Sequence, residues 1–190
     1  MNKPVVIAQD GLPRRLFSVA DVDRMVEAGI IGHDERVEIV DGEILPMSPK
    51  GPLHETFKQH LTIHFARNLP AGTTFIQEAG WRLGEMLYLE PDYLFFPDRL
   101  GIATVGGPDA LLVVEVADTS LGYDAGRKVE LYARLGVREY WVVEARTRET
   151  RVHREPDGGH FGRRFVAGPD DVLAPHLLAG LTLRLSDLPL

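Results

Sequence analysis

Leu111-Leu112-Val113-Val114-Glu115-Val116 is the most apolar run in the chain, and it carries one carboxylate. A short unbroken apolar run of this kind reads as a strand covered on both faces, at the centre of a sheet. Helical spacing follows over about residues 123–135, and residues 139–144 then read as another strand. Strand, helix, strand predicts a right-handed crossover between neighbouring parallel strands, which places the chain in the α/β class.

Toward the N-terminus, Tyr93-Leu94-Phe95-Phe96 reads as a second core strand, with further strands at residues 74–78 and 81–83. Residues 98–109, with Gly101, Gly106, Gly107 and Pro108, read as a loop. Leu53, Phe57, Leu61, His64 and Phe65 recur at helical spacing and predict a helix over about residues 53–68 with that stripe buried. Ahead of it, Asp41-Gly42 separates Val37-Glu38-Ile39-Val40 from Glu43-Ile44-Leu45-Pro46-Met47. That is a hairpin signal, because the turn needs positive φ at both central positions. Ser18 with Asp21 three residues on starts a helix that runs to about Gly29. Downstream, residues 150–165 read as a hairpin closed by Asp157-Gly158-Gly159. No repeat or long linker divides the chain, so one domain is expected over residues 1–190, with its core at about 16–144 and a β-rich extension at about 150–190.

The 190 residues include no cysteine, which excludes disulfide frameworks, thiolate-bound zinc, iron–sulfur clusters and cysteine nucleophiles. A chain of this length buries a sizeable core without such staples. No apolar run approaches the roughly 18 residues of a membrane span. The first fifteen residues hold only a four-residue apolar stretch, too short for a signal-peptide core, so a cytoplasmic protein is expected. Twenty-one Lys and Arg against 28 Asp and Glu give a net charge of −7, which at first sight argues against a nucleic-acid partner. The charge is uneven, however. Residues 121–154 carry eight basic and five acidic side chains, a local +3 that leaves −10 on the remainder. Such a block is compatible with contacts to a phosphate backbone, but most such blocks are ordinary solvated surface.

Glu115 poses the chemical question, because an unpaired buried carboxylate costs several kcal/mol. Either it reaches solvent or an arginine at the end of its strand, or it holds a cation together with a second acid. Asp92, in Glu90-Pro91-Asp92-Tyr93, opens another apolar strand and poses the same question, although an aspartate after proline is also a common turn residue. Two carboxylates at the ends of two core strands are the raw material of a divalent-cation site, since Mg²⁺ takes one or two carboxylates with water and phosphate oxygens. In the following helix Asp124, Lys128 and Tyr132 stand at i, i+4 and i+8 and share one face. By spacing alone Asp124 and Lys128 form a surface ion pair; a crossover helix also brings Lys128 back to the mouth of the Glu115 strand. Acid, acid and lysine around one metal is a constellation for phosphodiester hydrolysis. His60 and His64 have the i, i+4 spacing of a zinc pair, but His54-Glu55 is followed by Lys58, so the zinc-protease signature fails. Neither a phosphate-binding glycine loop ending in Lys-Ser/Thr nor a Gly-x-Ser-x-Gly elbow is present.

Taken in order, several stretches carry a resemblance: Val37-Glu38-Ile39-Val40-Asp41-Gly42-Glu43-Ile44, Met47-Ser48-Pro49 with His54, Pro91-Asp92, Val113-Val114-Glu115-Val116, then Ser120, Asp124, Lys128, Tyr132 and Gly136-Val137-Arg138-Glu139-Tyr140-Trp141-Val142-Val143. The chain resembles the bacterial restriction-endonuclease-like branch of the PD-(D/E)XK nuclease superfamily over about residues 16–144. The resemblance implies a mixed central sheet flanked by helices, an N-terminal hairpin and a β-rich C-terminal tail. It assigns Asp92 to the aspartate after proline and Glu115 to the first residue of the (D/E)XK element. Ala117 stands where the superfamily usually has its lysine, and Lys128 matches a lysine moved to the following helix. Glu38 matches a further acid from the first hairpin, and His54 a histidine near the metal or the phosphate. Ser120 alone fits the loop after the Glu115 strand, where it and Arg127 are candidates for phosphate or loop contacts.

The function implied is a metal-dependent endonuclease acting on DNA. Asp92, Glu115 and Glu38 would hold Mg²⁺, for which Mn²⁺ substitutes, and Lys128 would assist the attacking water. A homodimer suits the cutting of both strands. The alternative is a non-catalytic protein of the same fold with a binding or assembly role, which the acidic charge and the altered loop favour.

Overall fold

In chain order the elements are β1 (Val5–Ile7), β2 (Pro13–Arg15), α1 (Val19–Glu27), β3 (Val37–Val40), β4 (Glu43–Pro46), α2 (Pro52–Asn68), β5 (Thr73–Ile76), β6 (Trp81–Gly84), β7 (Leu87–Leu89) and β8 (Tyr93–Pro97). They continue with β9 (Leu112–Ala117), α3 (Leu121–Asp124), α4 (Arg127–Arg134), β10 (Glu139–Glu144), β11 (Glu149–Asp157) and β12 (His160–Ala167). This computed structural model describes residues 5–7 and 11–190. The reading of the first fifteen residues as lacking a signal-peptide core falls partly on residues 1–4 and 8–10, outside the described residues. No helix among the described residues is long and apolar enough to cross a membrane. The chain separates into two compact units, Met1–Met47 with Gly80–Glu90, and Ser48–Ala79 with Pro91–Leu190.

The first unit contains the strand pair β1–β2 and a four-stranded sheet in the order β4-β3-β7-β6. The β3–β4 hairpin turns as its sequence predicts, with φ of 53° at Asp41 and 83° at Gly42. A side chain on Gly42 would also meet Met86 and Leu16, so glycine is required there twice over. Ser18 caps α1 in a reciprocal arrangement with Asp21, each bonding the other's backbone N–H. The buried face of α1, Val19 and Val22, packs on Val37 and Ile39.

The second unit is a six-stranded mixed sheet in the order β12-β11-β10-β9-β8-β5. β9 and β10 are parallel, as the predicted crossover requires, and the other neighbours are antiparallel. The predicted C-terminal hairpin is β11–β12, and it extends this sheet beyond β10. Phe57, Leu61 and Phe65 of α2 cover one face with Tyr93, Phe95, Leu112, Val114 and Trp141. Leu173, Leu178, Leu181, Leu183, Leu185 and Leu188 join the same core. Side chains alternate along β9, so Glu115 points to the opposite face, which α4 covers. Both faces of β9 are therefore buried, the physical reason for its continuous apolar run.

Three sequence expectations need correction. The helix expected over residues 123–135 is broken into α3 and α4 at Gly126, where a Cβ would stand 2.5 Å from the carbonyl oxygen of Gly122. Leu53, expected on the buried stripe of α2, is exposed; His54 and Lys58 lie on the buried side instead. A strand at Leu87–Leu89 also forms that the sequence reading did not mark, pairing with both β3 and β6.

His153 on β11 is buried between the rings of Tyr140 and Phe161, and neither ring nitrogen has a hydrogen-bond partner among the described residues. Burial first, then the charges of Arg164 and Arg151, lower its pKa from 6.5 to about 4. Its neutral form is thus favoured by folding, so stability is complete above pH 6.5 and declines as pH falls toward 4. One pKa unit corresponds to about 1.4 kcal/mol, which caps this contribution at about 3.5 kcal/mol before solvent screening reduces it. Thermal melts at pH 8 and pH 5 should therefore show a smaller acid-induced loss in His153→Leu than in wild type; equal losses would contradict the account.

Candidate active site

The register of β8 on β9 assembles the site. Tyr93 pairs with Val114 and Leu94 with Val113, so one step further along the ladder sets Asp92 opposite Glu115. Each carboxylate then accepts a hydrogen bond from the backbone beside the other. The Asp92 N–H donates to Glu115 Oε2 at 3.2 Å, and the Val116 N–H donates to Asp92 Oδ2 at 2.8 Å. Both residues are nearly inaccessible, Asp92 at 5% and Glu115 at 4% exposure. Two carboxylates buried side by side are costly unless cations or hydrogen-bond donors reach them.

Cations arrive from two helices and a loop. Lys128 of α4 donates to Glu115 Oε1 at 2.8 Å and lies 3.7 Å from Asp124 Oδ1. The Tyr132 hydroxyl donates to the same Glu115 oxygen at 3.0 Å, so the face predicted for Asp124, Lys128 and Tyr132 survives the helix break. Ser120 Oγ donates to the Asp124 carboxylate. On the Asp92 side, His54 Nε2 lies 3.2 Å from Oδ2, Lys50 Nζ donates to Oδ1 at 3.0 Å, and Lys58 Nζ stands 3.8 Å from Oδ1. Lys50 and Lys58 both also pair with Glu78. Burial alone would raise the Asp92 carboxyl; the His54 hydrogen bond and the charges of Lys50 and His54 outweigh it and hold the group well below the usual carboxylate range. Burial lowers the Lys58 ammonium to about 8, with Asp92 opposing and Lys50 assisting.

Asp92, Glu115, Lys128 and His54 are thus brought together, with Ser120 one carboxylate away from Lys128. Arg127 is exposed at the first residue of α4. Glu38 lies on β3 of the first unit, buried, where its Oε1 accepts the Glu90 N–H at 3.1 Å. Of the zinc candidates, His64 bonds the carbonyl oxygen of Thr182. The basic block is largely spent on internal contacts: Arg154 pairs with Glu139, Arg146 with Asp118, Arg151 with Glu144, and Arg138 and Arg148 bond backbone carbonyls.

Sequence reasoning missed Lys50, Lys58 and Glu78. Lys58 carried a usable signal, since it stands one turn from His54 on the face of α2 that also bears Leu61. Lys50 sits in a loop without periodicity. Glu78 holds a left-handed backbone, φ 48°, with its N–H bonded to the Pro91 carbonyl, and nothing in its neighbours marks that.

The donor set suits a hard divalent ion. Asp92 and Glu115 offer two buried carboxylates, the number Mg²⁺ takes when water and phosphate complete its octahedron. Among the described residues no group of three or more His, Asp or Glu is placed to hold a metal ion. Two carboxylates with a lysine alongside are a donor set that a cation could share with substrate oxygens once it displaces the internal donors now on them.

Comparison with known proteins bears on the family and the fold. The model of the Uma2 family, described as "Putative restriction endonuclease", matches residues 19–186, and the chain belongs to that family. A solved structure described as "a putative nuclease belonging to DUF820 from Anabaena variabilis ATCC 29413" superposes with a TM-score of 0.68. It is 13% identical in sequence, with 90% of this chain and 96% of that one covered, and the mixed α/β architecture is consistent with the restriction-endonuclease-like fold. The comparison with curated proteins gives no match.

Removing one partner of a buried ion pair leaves the other charge uncompensated, at a general cost of about 3–5 kcal/mol. Lys128→Met should accordingly lower the stability of the metal-free protein by about 3 kcal/mol, read from urea unfolding. Loss within 0.5 kcal/mol of wild type would mean that Lys128 does not neutralise Glu115.

Proposed function

We propose that this protein is a divalent-metal-dependent endonuclease hydrolysing phosphodiester bonds in DNA. The observation that carries the reading is the opposition of Asp92 and Glu115 on adjoining core strands with Lys128 on Glu115. Family membership supports DNA as the substrate. When bound, Mg²⁺ or Mn²⁺ supplies an acidified water and neutralises charge on the scissile phosphate. Asp92 and Glu115 would hold the ion. Lys128, fixed by Glu115 and Asp124 and lying over the Tyr123 ring, orients the attacking water and offsets charge on the phosphorane. His54 keeps Asp92 in place through Oδ2. The family resemblance adds Ser120 and Arg127 as phosphate contacts. Two copies acting together would cut both strands.

The non-catalytic reading is favoured by one feature: internal donors already reach both oxygens of Asp92 and of Glu115. The two readings part on activity and on metal binding. Supercoiled plasmid and single-stranded DNA incubated with Mg²⁺ or Mn²⁺ should be cleaved, EDTA should stop the reaction, and Asp92→Asn or Lys128→Gln should slow it by about 10²–10³-fold. Full activity in either variant would refute the assignment. Millimolar Mg²⁺ or Mn²⁺ should also raise the melting temperature of wild type but not of Asp92→Asn, because an ion bound only by the folded state stabilises it.

A further inference from the structure

Asp92 has one oxygen tied down and one oxygen held by a group that can leave. Oδ2 is fixed by His54 Nε2 and the Val116 N–H, both parts of regular elements. Oδ1 is held by Lys50 at 3.0 Å. Lys50 lies before α2 in a segment that is neither helix nor strand, and its side chain is 16% exposed against 6% for Lys58 and 4% for Lys128. A divalent ion binds carboxylate oxygens at about 2.1 Å. An ammonium hydrogen-bonded to Oδ1 would then stand almost in contact with the ion, charge against charge. Lys50 must leave Oδ1 if the ion is to take it.

The structure also provides the place to which Lys50 withdraws. Its ammonium is already paired with Glu78, whose carboxylate also receives Lys58. Releasing Asp92 therefore does not leave the lysine without a counter-charge. Glu78 is held beside the site by the bond from its N–H to the Pro91 carbonyl, adjoining Asp92 in the chain, in a left-handed conformation that is uncommon for a residue with a side chain.

We propose that Lys50 is a displaceable counter-ion that occupies the metal position at Asp92 Oδ1 in the metal-free protein and retreats onto Glu78 when a divalent ion binds. The inference rests on the reading of Asp92 as a metal ligand. Lys50 is a positioning residue: it keeps Asp92 ionised and oriented before loading and sets the metal concentration at which the site fills. Charge removal at Lys50 should therefore tighten metal binding, the reverse of what damage to a structural ion pair would do.

The test is calorimetric titration of Mn²⁺ into the full chain without DNA, for wild type, Lys50→Met, Lys50→Arg and Asp92→Asn. Lys50→Met should bind Mn²⁺ about tenfold more tightly than wild type, because a competing positive charge is gone. Lys50→Arg should stay close to wild type, and Asp92→Asn should lose binding. Lys50→Gln carries the same expectation should the methionine variant fail to fold. Unchanged or weaker binding in Lys50→Met, with wild type binding through Asp92, would overturn the counter-ion role and leave the metal site standing. Absence of Mn²⁺ binding in wild type and Lys50→Met alike would overturn both.

Discussion

Asp92 and Glu115 face each other across two strands of a buried sheet, and most of what surrounds them can be understood as a response to that repulsion. Ionised carboxylates excluded from water and set side by side need positive charge and hydrogen-bond donors at close range. Lys128 and Tyr132 supply these to Glu115, His54 and Lys50 supply them to Asp92, and two backbone amides join the carboxylates to each other's strands. Glu139 shows the other way to bury an acid. Its oxygens receive the Arg154 guanidinium, the Trp141 indole N–H and the His176 N–H, with Arg154 directly opposite it on β11, and it reads as a structural strut.

The fold delivers these groups through its connections. The parallel pairing of β9 and β10 forces the chain to cross over the sheet, and the crossover carries α4 and Lys128 back over the face to which Glu115 points. On the opposite face α2 anchors itself through Phe57, Leu61 and Phe65, and so aligns His54 and Lys58 with Asp92. The aromatic contacts of Phe65 with Tyr93 and Phe95 tie that helix to the strand Asp92 precedes, so the packing that stabilises the unit also fixes the site.

Much of this was legible in the residues themselves. A glutamate inside a run of valines and an aspartate opening an aromatic strand are conspicuous because burial makes them costly, and the i, i+4, i+8 spacing of Asp124, Lys128 and Tyr132 brought out the second layer. The Asp41-Gly42 turn and the parallel crossover followed from local rules. The register that opposes Asp92 to Glu115 did not, because it is set between strands separated by a loop of unpredictable path. Lys50 and Glu78 were invisible for a related reason: neither lies in a periodic element, and their meeting at Asp92 is purely tertiary. Leu53 misled because the helical stripe fits two adjacent faces, and burial chose the one bearing His54 and Lys58. The break at Gly126 came from a backbone approach to Gly122 that spacing does not record.

We propose that the opposed carboxylates form a divalent-cation site. Crystals soaked in Mn²⁺ and measured at a wavelength where manganese scatters anomalously test it most directly. An anomalous peak should stand at about 2.1 Å from oxygens of both Asp92 and Glu115, with Lys50 Nζ no longer on Asp92 Oδ1. A map without a peak there, with the lysine still bonded to Asp92, would contradict it.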